Sequence, residues 1–407
     1  MGYDRLGDSY RRFLGVYLSM MSIGQIAGAF FNIFLLRATG SSVTLMIFNV
    51  LLATVQPFVM AVAVFAVRRF SVIQSQRVAF VLLMIAYTIL AVWIDRVESL
   101  VYLIAVLMSA SNAFFFTSYT PMMLSYTTDG NRDAAGGVLS FFTTLLSVVI
   151  PVATGFFISS FGDLTGYRVL FVIAVCMCVF TFFLSFRLAP VTGFHSERRT
   201  QFRSTLRYIV KSKPMMVAMV NPMIYASIAT APAYFGALIV MELIGRESQI
   251  GLITFLGSIV TMAAAVVYGR IVKPQNRAKW MMTGLGVVLL AVCGMIADLS
   301  VVTYVLYSAA AAFAAIFLTN PPLMNYLAVL QRIPELSQRG PEVHTLRELF
   351  VGAGRALGVL PVLFFQDAFG VAVYMILTIY AVQIFSILLA RYMSRYLNAA
   401  REGESGG

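Results

Sequence analysis

Long apolar runs recur along the whole chain, and they constrain its fold more than any other feature. Of the 407 residues, 60% are hydrophobic and 11% are charged, whereas soluble domains average about 45–50% apolar and about 25% charged residues. Each run approaches the ~20 residues that a helix needs to cross ~30 Å of hydrocarbon. Only helices and closed barrels satisfy their backbone in lipid, and these runs are too long for the ~10-residue strands of a barrel. The sequence therefore predicts an all-α integral membrane protein.

Twelve such runs are predicted to cross the membrane, and they are called spans one to twelve below. They lie near residues 13–36, 42–67, 77–94, 100–124, 136–160, 167–188, 215–240, 248–271, 279–297, 301–328, 346–366 and 370–391. The first run is too long for the ~7–15-residue apolar core of a signal peptide, so we interpret it as the first span.

Lysine and arginine are distributed unevenly between the two sides that this topology defines. With the N-terminus inside, four of the 29 basic residues lie outside, namely Arg37, Arg96, Arg168 and Arg246, and 25 lie inside. Cytoplasmic loops carry such an excess, so we predict cytoplasmic termini and a multi-pass protein of a cell membrane, such as a bacterial inner membrane. A nucleic-acid-binding protein would gather its basic residues on one soluble face, so the net charge of +12 indicates no nucleic-acid partner.

The longest segment between spans divides the chain into two halves. Residues 189–214 form a predicted cytoplasmic loop between an N-terminal six-helix bundle, 1–188, and a C-terminal six-helix bundle, 215–395, with a cytoplasmic tail at 396–407. The part from Phe202 to Lys213 is basic and has apolar residues at helical spacing. This pattern predicts a short amphipathic helix on an anionic inner leaflet.

The two halves repeat short patterns at matching places. Residues 132–137 read Arg-Asp-x-x-x-Gly at the entry to span five, and residues 347–352 read Arg-Glu-x-x-x-Gly at the entry to span eleven, 215 residues later. Proline recurs within the same two spans, at Pro151 and Pro361. Parallel repeats of six spans are common in transporters, which bind their cargo near the midplane where the halves meet.

Twelve spans, a long central loop and paired halves resemble the major facilitator superfamily, whose loop after span two reads Gly-x-x-x-Asp-Arg-x-Gly-Arg. Here that loop keeps Arg69 and Arg77, eight residues apart, without the glycines and the aspartate. The loop after span eight keeps Arg270 and Arg277, seven apart, with Gly269 but again no acid. The resemblance implies two pseudo-symmetric bundles in a monomer that transports a small solute by alternating access.

Span five contains Pro-Val-Ala-Thr-Gly at 151–155, similar to the Gly-Pro-x-x-Gly-Gly stretch of many drug–proton antiporters. Ile150 replaces the first glycine of that stretch and Phe156 the last. The similarity favours export over uptake. Proline and glycine within a membrane helix also occur where helices bend or pack closely.

The resemblance also implies that spans one, four, seven and ten line the substrate cavity. The polar residues predicted to face it are Gln25, Asn32, Asn112, Tyr119, Asn221, Tyr225, Asn320 and Asn325. Uncharged amides in hydrocarbon turn toward protein or water, and some of these side chains are expected to bond neighbouring helices instead of cargo. No Asp, Glu, Lys, Arg or His falls near the middle of a span, which favours a neutral or amphipathic organic cargo over a small ion.

Charged residues at the inner ends of the spans are the candidates for an inner gate or for proton coupling. They are Arg69, Arg77, Asp129, Arg132, Asp133, Arg270, Arg277, Glu348 and Arg355. We expect Arg69 and Arg77 to pair with Asp129 or Asp133, and Arg270 and Arg277 to pair with Glu348. Coupling to protons, if the cycle uses them, would require one of these carboxylates.

Three alternatives stay open at this point. A lipid flippase or a facilitative uptake carrier would share the same fold. A polytopic membrane enzyme is disfavoured, because the two histidines, His195 and His344, lie in separate loops and no serine stands in a nucleophile motif. Cys176 and Cys178 are two residues apart and point to different sides of a helix, so neither a metal site nor a cofactor is predicted.

Overall fold

The computed structural model describes residues 7–28, 30–127, 132–161, 163–191, 202–244, 246–273, 275–333, 336, 340–360 and 371–405. Every regular element within these ranges is a helix. Span one consists of two helices, and spans two to six follow: Asp8–Gly28 with Phe31–Thr39, Ser42–Arg69, Val72–Val92, Val97–Tyr126, Arg132–Ser159 and Thr165–Leu184. Short 3₁₀ turns at Ile94–Arg96 and Ser185–Arg187 precede span four and follow span six.

The second half begins with a short helix, Phe202–Lys211, and continues with six longer ones. These are spans seven to twelve: Lys213–Leu243, Glu247–Ile271, Arg277–Ala297, Val301–Gln331, Gly340–Val359 and Ala372–Ser405. Span twelve thus continues as a helix through most of the predicted tail. Residues 361–366 of the predicted span eleven lie outside the described residues. A helix stands at each of the twelve predicted places, which confirms the all-α membrane fold.

Ten of the helices are long and apolar enough to cross a membrane when the described residues alone are considered. The helices at spans seven and eleven are the other two. In span seven the apolar stretch that qualifies by composition is the shorter segment Tyr234–Leu243. Span eleven is less apolar, because Glu342, Arg347, Glu348 and Arg355 all lie on its helix.

Local side-chain chemistry explains where several helices begin and end. Ser41 and Ser71 accept hydrogen bonds from backbone N–H groups of the first turns of spans two and three. Ser300 and Thr303 form a reciprocal capping box at the start of span ten, which satisfies two backbone donors that the helix leaves unpaired. Span one ends at Gly40, whose φ of 63° lies in the left-handed region that glycine adopts without strain.

The chain divides into two compact units. The first comprises Met1–Arg199 with Gly245–Phe255, the start of span eight. Its interior includes a group of aromatic rings, in which Phe31 stacks on Phe48 at 4.6 Å and Phe34 meets Phe171 edge-on at 4.9 Å between centroids. These rings join spans one, two and six.

The second unit comprises Thr200–Ile244 and Leu256–Gly407. An apolar cluster in this unit joins the short helix to spans seven, ten, eleven and twelve, through Ile209, Met215, Val329, Leu346 and Met393. The side chains of these five residues are 0–6% exposed. The cluster therefore anchors one end of span eleven.

The short helix Phe202–Lys211 lies where an amphipathic helix was predicted. Thr205 and Ile209 are buried against the second unit, whereas Leu206 and Val210 are exposed. Its contact with a lipid leaflet stays a prediction.

Candidate functional site

An aromatic cluster joins spans one and four, two of the spans predicted to line the cavity. Tyr17 lies 5.2 Å from Tyr119 and 5.6 Å from Phe115, and Phe13 lies 6.0 Å from Tyr119, between ring centroids. Phe13 and Phe115 are buried, while Tyr17 and Tyr119 keep part of their surface exposed. Tyr119 was predicted from the sequence, whereas Phe13 and Tyr17 were not, although these two stand four residues apart on one helix face.

The three amides predicted for the cavity in the first unit have different surroundings. Asn32 accepts a hydrogen bond from the Nδ2 group of Asn49 in span two, at 3.2 Å. It therefore holds two helices together in this conformation. Gln25 and Asn112 are partly buried, and their contact with cargo stays a prediction.

In the second unit, two of the predicted cavity amides are fully buried between helices. The Ser386 hydroxyl of span twelve donates to Asn221 Oδ1 at 2.5 Å, and Arg277 Nη1 of span nine donates to Asn325 Oδ1 at 2.8 Å. Both asparagines are 1% exposed. Asn320 is partly buried.

Close helix packing sets the position of span eleven against span seven. A Cβ atom added at Gly354 would overlap the carbonyl oxygen of Met223, and one at Gly358 would lie 3.1–3.2 Å from atoms of Ser227. The two glycines are four residues apart and share one face. Such small-residue pairs let two membrane helices approach closely.

A charged cluster forms where spans seven, ten and eleven meet. Arg347 donates through Nη1 to Glu348 Oε1 at 2.7 Å and through Nη2 to the Tyr225 hydroxyl at 2.8 Å. Its guanidinium carbon lies 5.1 Å from the centroid of the Tyr326 ring. The side chains of Arg347 and Glu348 are only 7% and 13% exposed. An ion pair buried within the helices of a membrane protein is costly and marks a functional site by default.

Arg347 was not predicted as a site residue and was counted only among the basic residues of the inner side. Only 6% of Arg347 is exposed. The adjacent Arg-Glu pair at the start of a span could have identified it, because hydrocarbon tolerates two such charges only when they pair with each other. Tyr225 and Glu348, which the sequence analysis did predict, are its two partners.

Four of the six arginines predicted for the inner gate or for coupling, Arg69, Arg77, Arg270 and Arg277, fall into two groups. Arg77 donates through Nε to the Ser185 hydroxyl at 3.1 Å and lies 3.8 Å above the Phe186 ring, and Arg277 bonds Asn325 as described above. Both therefore attach the start of one span to another helix of the same unit. Arg69 and Arg270 are exposed.

The acidic side of the proposed gate is described only in part. Asp129 lies outside the described residues, and Arg132 and Asp133 are described as the first residues of a helix without their side chains. Arg355 is partly buried on span eleven. The pairings of Arg69 and Arg77 with Asp129 or Asp133 therefore stay predictions, as do those of Arg270 and Arg277 with Glu348.

The Pro-Val-Ala-Thr-Gly stretch of span five lies at a close helix contact. A Cβ atom added at Gly251, at the start of span eight, would lie 2.9 Å from the Pro151 carbonyl oxygen and 3.5 Å from Gly155 Cα. Close helix packing therefore accounts for the proline and glycine of this stretch. The stretch is weaker evidence for export as a result.

Fold and site together define a polytopic helical membrane transporter rather than an enzyme. The chain belongs to the Major Facilitator Superfamily, whose family model matches residues 13–335. It is similar to the uncharacterized protein YqgE of Bacillus subtilis (strain 168), with 24% identity over 353 residues, which cover 84% of this chain and 79% of that protein.

Two solved structures show how far the likeness in fold extends. A bacterial homologue of the iron transporter ferroportin in its inward-facing state has a TM-score of 0.73 at 15% identity, covering 95% of this chain and 98% of that one. The nucleoside transporter NupG has a TM-score of 0.67 at 11% identity, covering 95% of this chain and 99% of that one. At these identities the likeness shows the fold and says nothing of the cargo.

Proposed function

We propose that this secondary transporter moves a small organic solute by alternating access, and that export is favoured over uptake. The aromatic cluster of spans one and four carries the proposal. Its partly exposed tyrosines, Tyr17 and Tyr119, combine a π face with a hydroxyl group, which suits the apolar body and the few polar groups of an organic molecule. Among the described residues, no three His, Cys, Asp or Glu side chains gather in a way that could hold a metal ion.

We further propose that charged residues near one end of the spans form the gate. In the closed gate Arg277 would pair with Glu348, so closing would require Arg277 to leave Asn325 and Glu348 to leave Arg347, since these are their partners here. If a proton drives the cycle, Glu348 or Asp129 would carry it. Charge reversal at Arg277 or Glu348 alone should abolish transport, and the double reversal should restore part of it. Independent effects of the two changes would contradict the gate.

The distribution of basic residues also supports an orientation of the proposed transporter in the membrane. The excess of lysine and arginine on one side favours cytoplasmic termini in a cell membrane. We propose a monomer, the state that membership of the Major Facilitator Superfamily favours.

Uptake of fluorescent hydrophobic dyes into inverted vesicles, with and without an imposed proton gradient, tests the function. Accumulation that depends on the gradient and that Glu348→Gln or Asp129→Asn abolishes would support proton-coupled export. Tyr119→Ala should reduce accumulation several-fold, because loss of a ring contact removes about 0.5–1.5 kcal/mol. Tyr374→Ala is the matched control, since Tyr374 is 56% exposed on span twelve. Transport of no dye would contradict the proposal and favour a lipid flippase or a facilitative carrier of narrow specificity.

A further inference from the structure

The charged cluster of the second unit carries a surplus of positive charge. We call it the arginine cluster; its members are Tyr225, Tyr326, Arg347, Glu348 and Arg355. The two arginines and one glutamate leave a formal charge of +1. Arg355 forms no ion pair with another residue that the structure describes, yet it is close enough to act electrostatically on the Tyr225 hydroxyl.

Other charges near the cluster do not neutralise it. Glu348 is the one acid among the described charges that act on Tyr225, Tyr326 and His344. His344 lies one turn before Glu348 on the same helix, and it can only add positive charge. The short helix that packs on span eleven contributes three exposed basic residues, Arg203, Arg207 and Lys211. Glu342, five residues before Arg347, is buried on the same helix but is not among the charges that act on these three groups. Among the described residues, the charges that act on the cluster therefore leave its surplus in place.

Two polar atoms of the cluster are buried without a partner. Arg347 Nε and the Tyr326 hydroxyl form no hydrogen bond with the described residues, although Arg347 is 6% and Tyr326 1% exposed. A buried donor without a partner costs about 1–3 kcal/mol, and a charged one costs more. Native proteins leave such groups unsatisfied where a ligand or a conformational change supplies the missing acceptor.

A bound anion would act on both the surplus positive charge and the donors that lack a partner. It would balance the surplus charge in a medium of low dielectric constant, where charge interactions are strong. It would also supply acceptor oxygens for guanidinium N–H groups, whose planar fork matches carboxylate and phosphate. Glu348, Tyr225 and Arg355 all keep part of their surface exposed, so the cluster is not sealed within the unit.

We propose that the arginine cluster binds an anionic group, such as a carboxylate, sulfonate or phosphate, carried by the organic cargo. This inference rests on the proposed function and narrows its substrate class from neutral or amphipathic molecules to organic anions. Glu348 keeps Arg347 in position, Arg355 provides the surplus charge, and the Tyr326 hydroxyl donates to the anion.

Equilibrium binding of two dyes with the same xanthene core tests the proposal. The full-length protein in detergent is titrated against fluorescein, an organic anion, and rhodamine 6G, an organic cation, and fluorescence anisotropy is measured. We expect the unmodified protein to bind fluorescein more tightly. Arg355→Gln should weaken fluorescein binding by about tenfold, the effect of one charge-assisted contact of about 1.4 kcal/mol, and should leave rhodamine 6G binding nearly unchanged. Tyr326→Phe should weaken only fluorescein binding, by a few-fold.

The control is Arg391→Gln, which removes the same charge from an exposed position on span twelve and should leave both affinities as they were. An equal loss of fluorescein binding in Arg355→Gln and Arg391→Gln would overturn the proposal, because net charge alone would explain it. Preferential binding of rhodamine 6G would overturn the inference while the proposed transport of organic solutes stands. Binding of neither dye would overturn both.

Discussion

Gly354→Ala probes the contact that positions the arginine cluster. The added methyl group would overlap the carbonyl oxygen of Met223, and a backbone atom cannot rotate away as a side chain can. Span eleven would have to move from span seven, which separates Arg347 from Tyr225. Insertion of a methyl group into a close-packed contact costs about 1–3 kcal/mol, and the rigid partner places this case at the upper end.

Helix propensity acts in the opposite direction. Alanine is favoured over glycine within a helix by about 1 kcal/mol, so the net loss in the free energy of unfolding should be about 2 kcal/mol. For a domain of the size of the second unit this corresponds to a fall in Tm of about 4–8 °C. Gly294→Ala is the control, because a Cβ atom at Gly294 would have no neighbour within 4 Å. It should leave the Tm unchanged or raise it slightly.

The Tm of both variants is measured by thermal unfolding in detergent, which is followed with a thiol-reactive dye. Cys178 is buried, whereas Cys176 and Cys293 are exposed, so a background with serine at the two exposed positions leaves one reporter. That reporter lies on span six in the first unit, so tryptophan fluorescence should be recorded in parallel in a Trp93→Phe background, which leaves Trp280 of the second unit as the emitter. Equal Tm values for Gly354→Ala and Gly294→Ala by both readings would refute the close approach of spans seven and eleven.

Three further substitutions test individual contacts through the same unfolding measurement. Ser386→Ala should lower the free energy of unfolding by about 1–2 kcal/mol, because it leaves a buried acceptor of Asn221 without its donor; no loss would contradict that hydrogen bond. Asp95→Asn should cost less than about 1 kcal/mol, since its ion pair with Arg168 is exposed to solvent; a larger loss would show that the pair is shielded. Arg77→Lys should be destabilising by about 1–2 kcal/mol despite its retained charge, because a lysine cannot reproduce both the hydrogen bond and the ring contact at the end of span six. Full stability of that variant would refute this geometry.

The candidate site could be predicted from the sequence only in outline. Tyr119, Tyr225 and Glu348 follow from polar or charged residue types near predicted cavity spans, and the structure places each of them in a cluster. Phe13, Tyr17 and Arg347 were missed. The first two are common apolar or aromatic residues in a run where almost every residue is apolar, and Arg347 has the residue type of an ordinary surface charge.

The partners of the polar residues depend on tertiary contacts between helices distant in sequence. Asn221 bonds a serine 165 residues away, and Asn325 bonds an arginine 48 residues away. Nothing in the local pattern around either asparagine distinguishes an amide that bonds a neighbouring helix from one that faces cargo. Both kinds lie in apolar surroundings and both need a hydrogen-bond partner.

The sequence by itself determined the class of fold and the places of the spans. A hydrocarbon layer about 30 Å thick requires long apolar helices. This requirement is met by the local sequence of each span and does not depend on what the helix packs against. Only the tertiary structure decided which face of each helix packs on protein. In water a helix shows its buried side by an apolar stripe, but in lipid the outer face is as apolar as the inner one. The burial of Arg347, the contact at Gly354 and the choice of partners for Asn221 and Asn325 therefore emerge only when the helices are brought together.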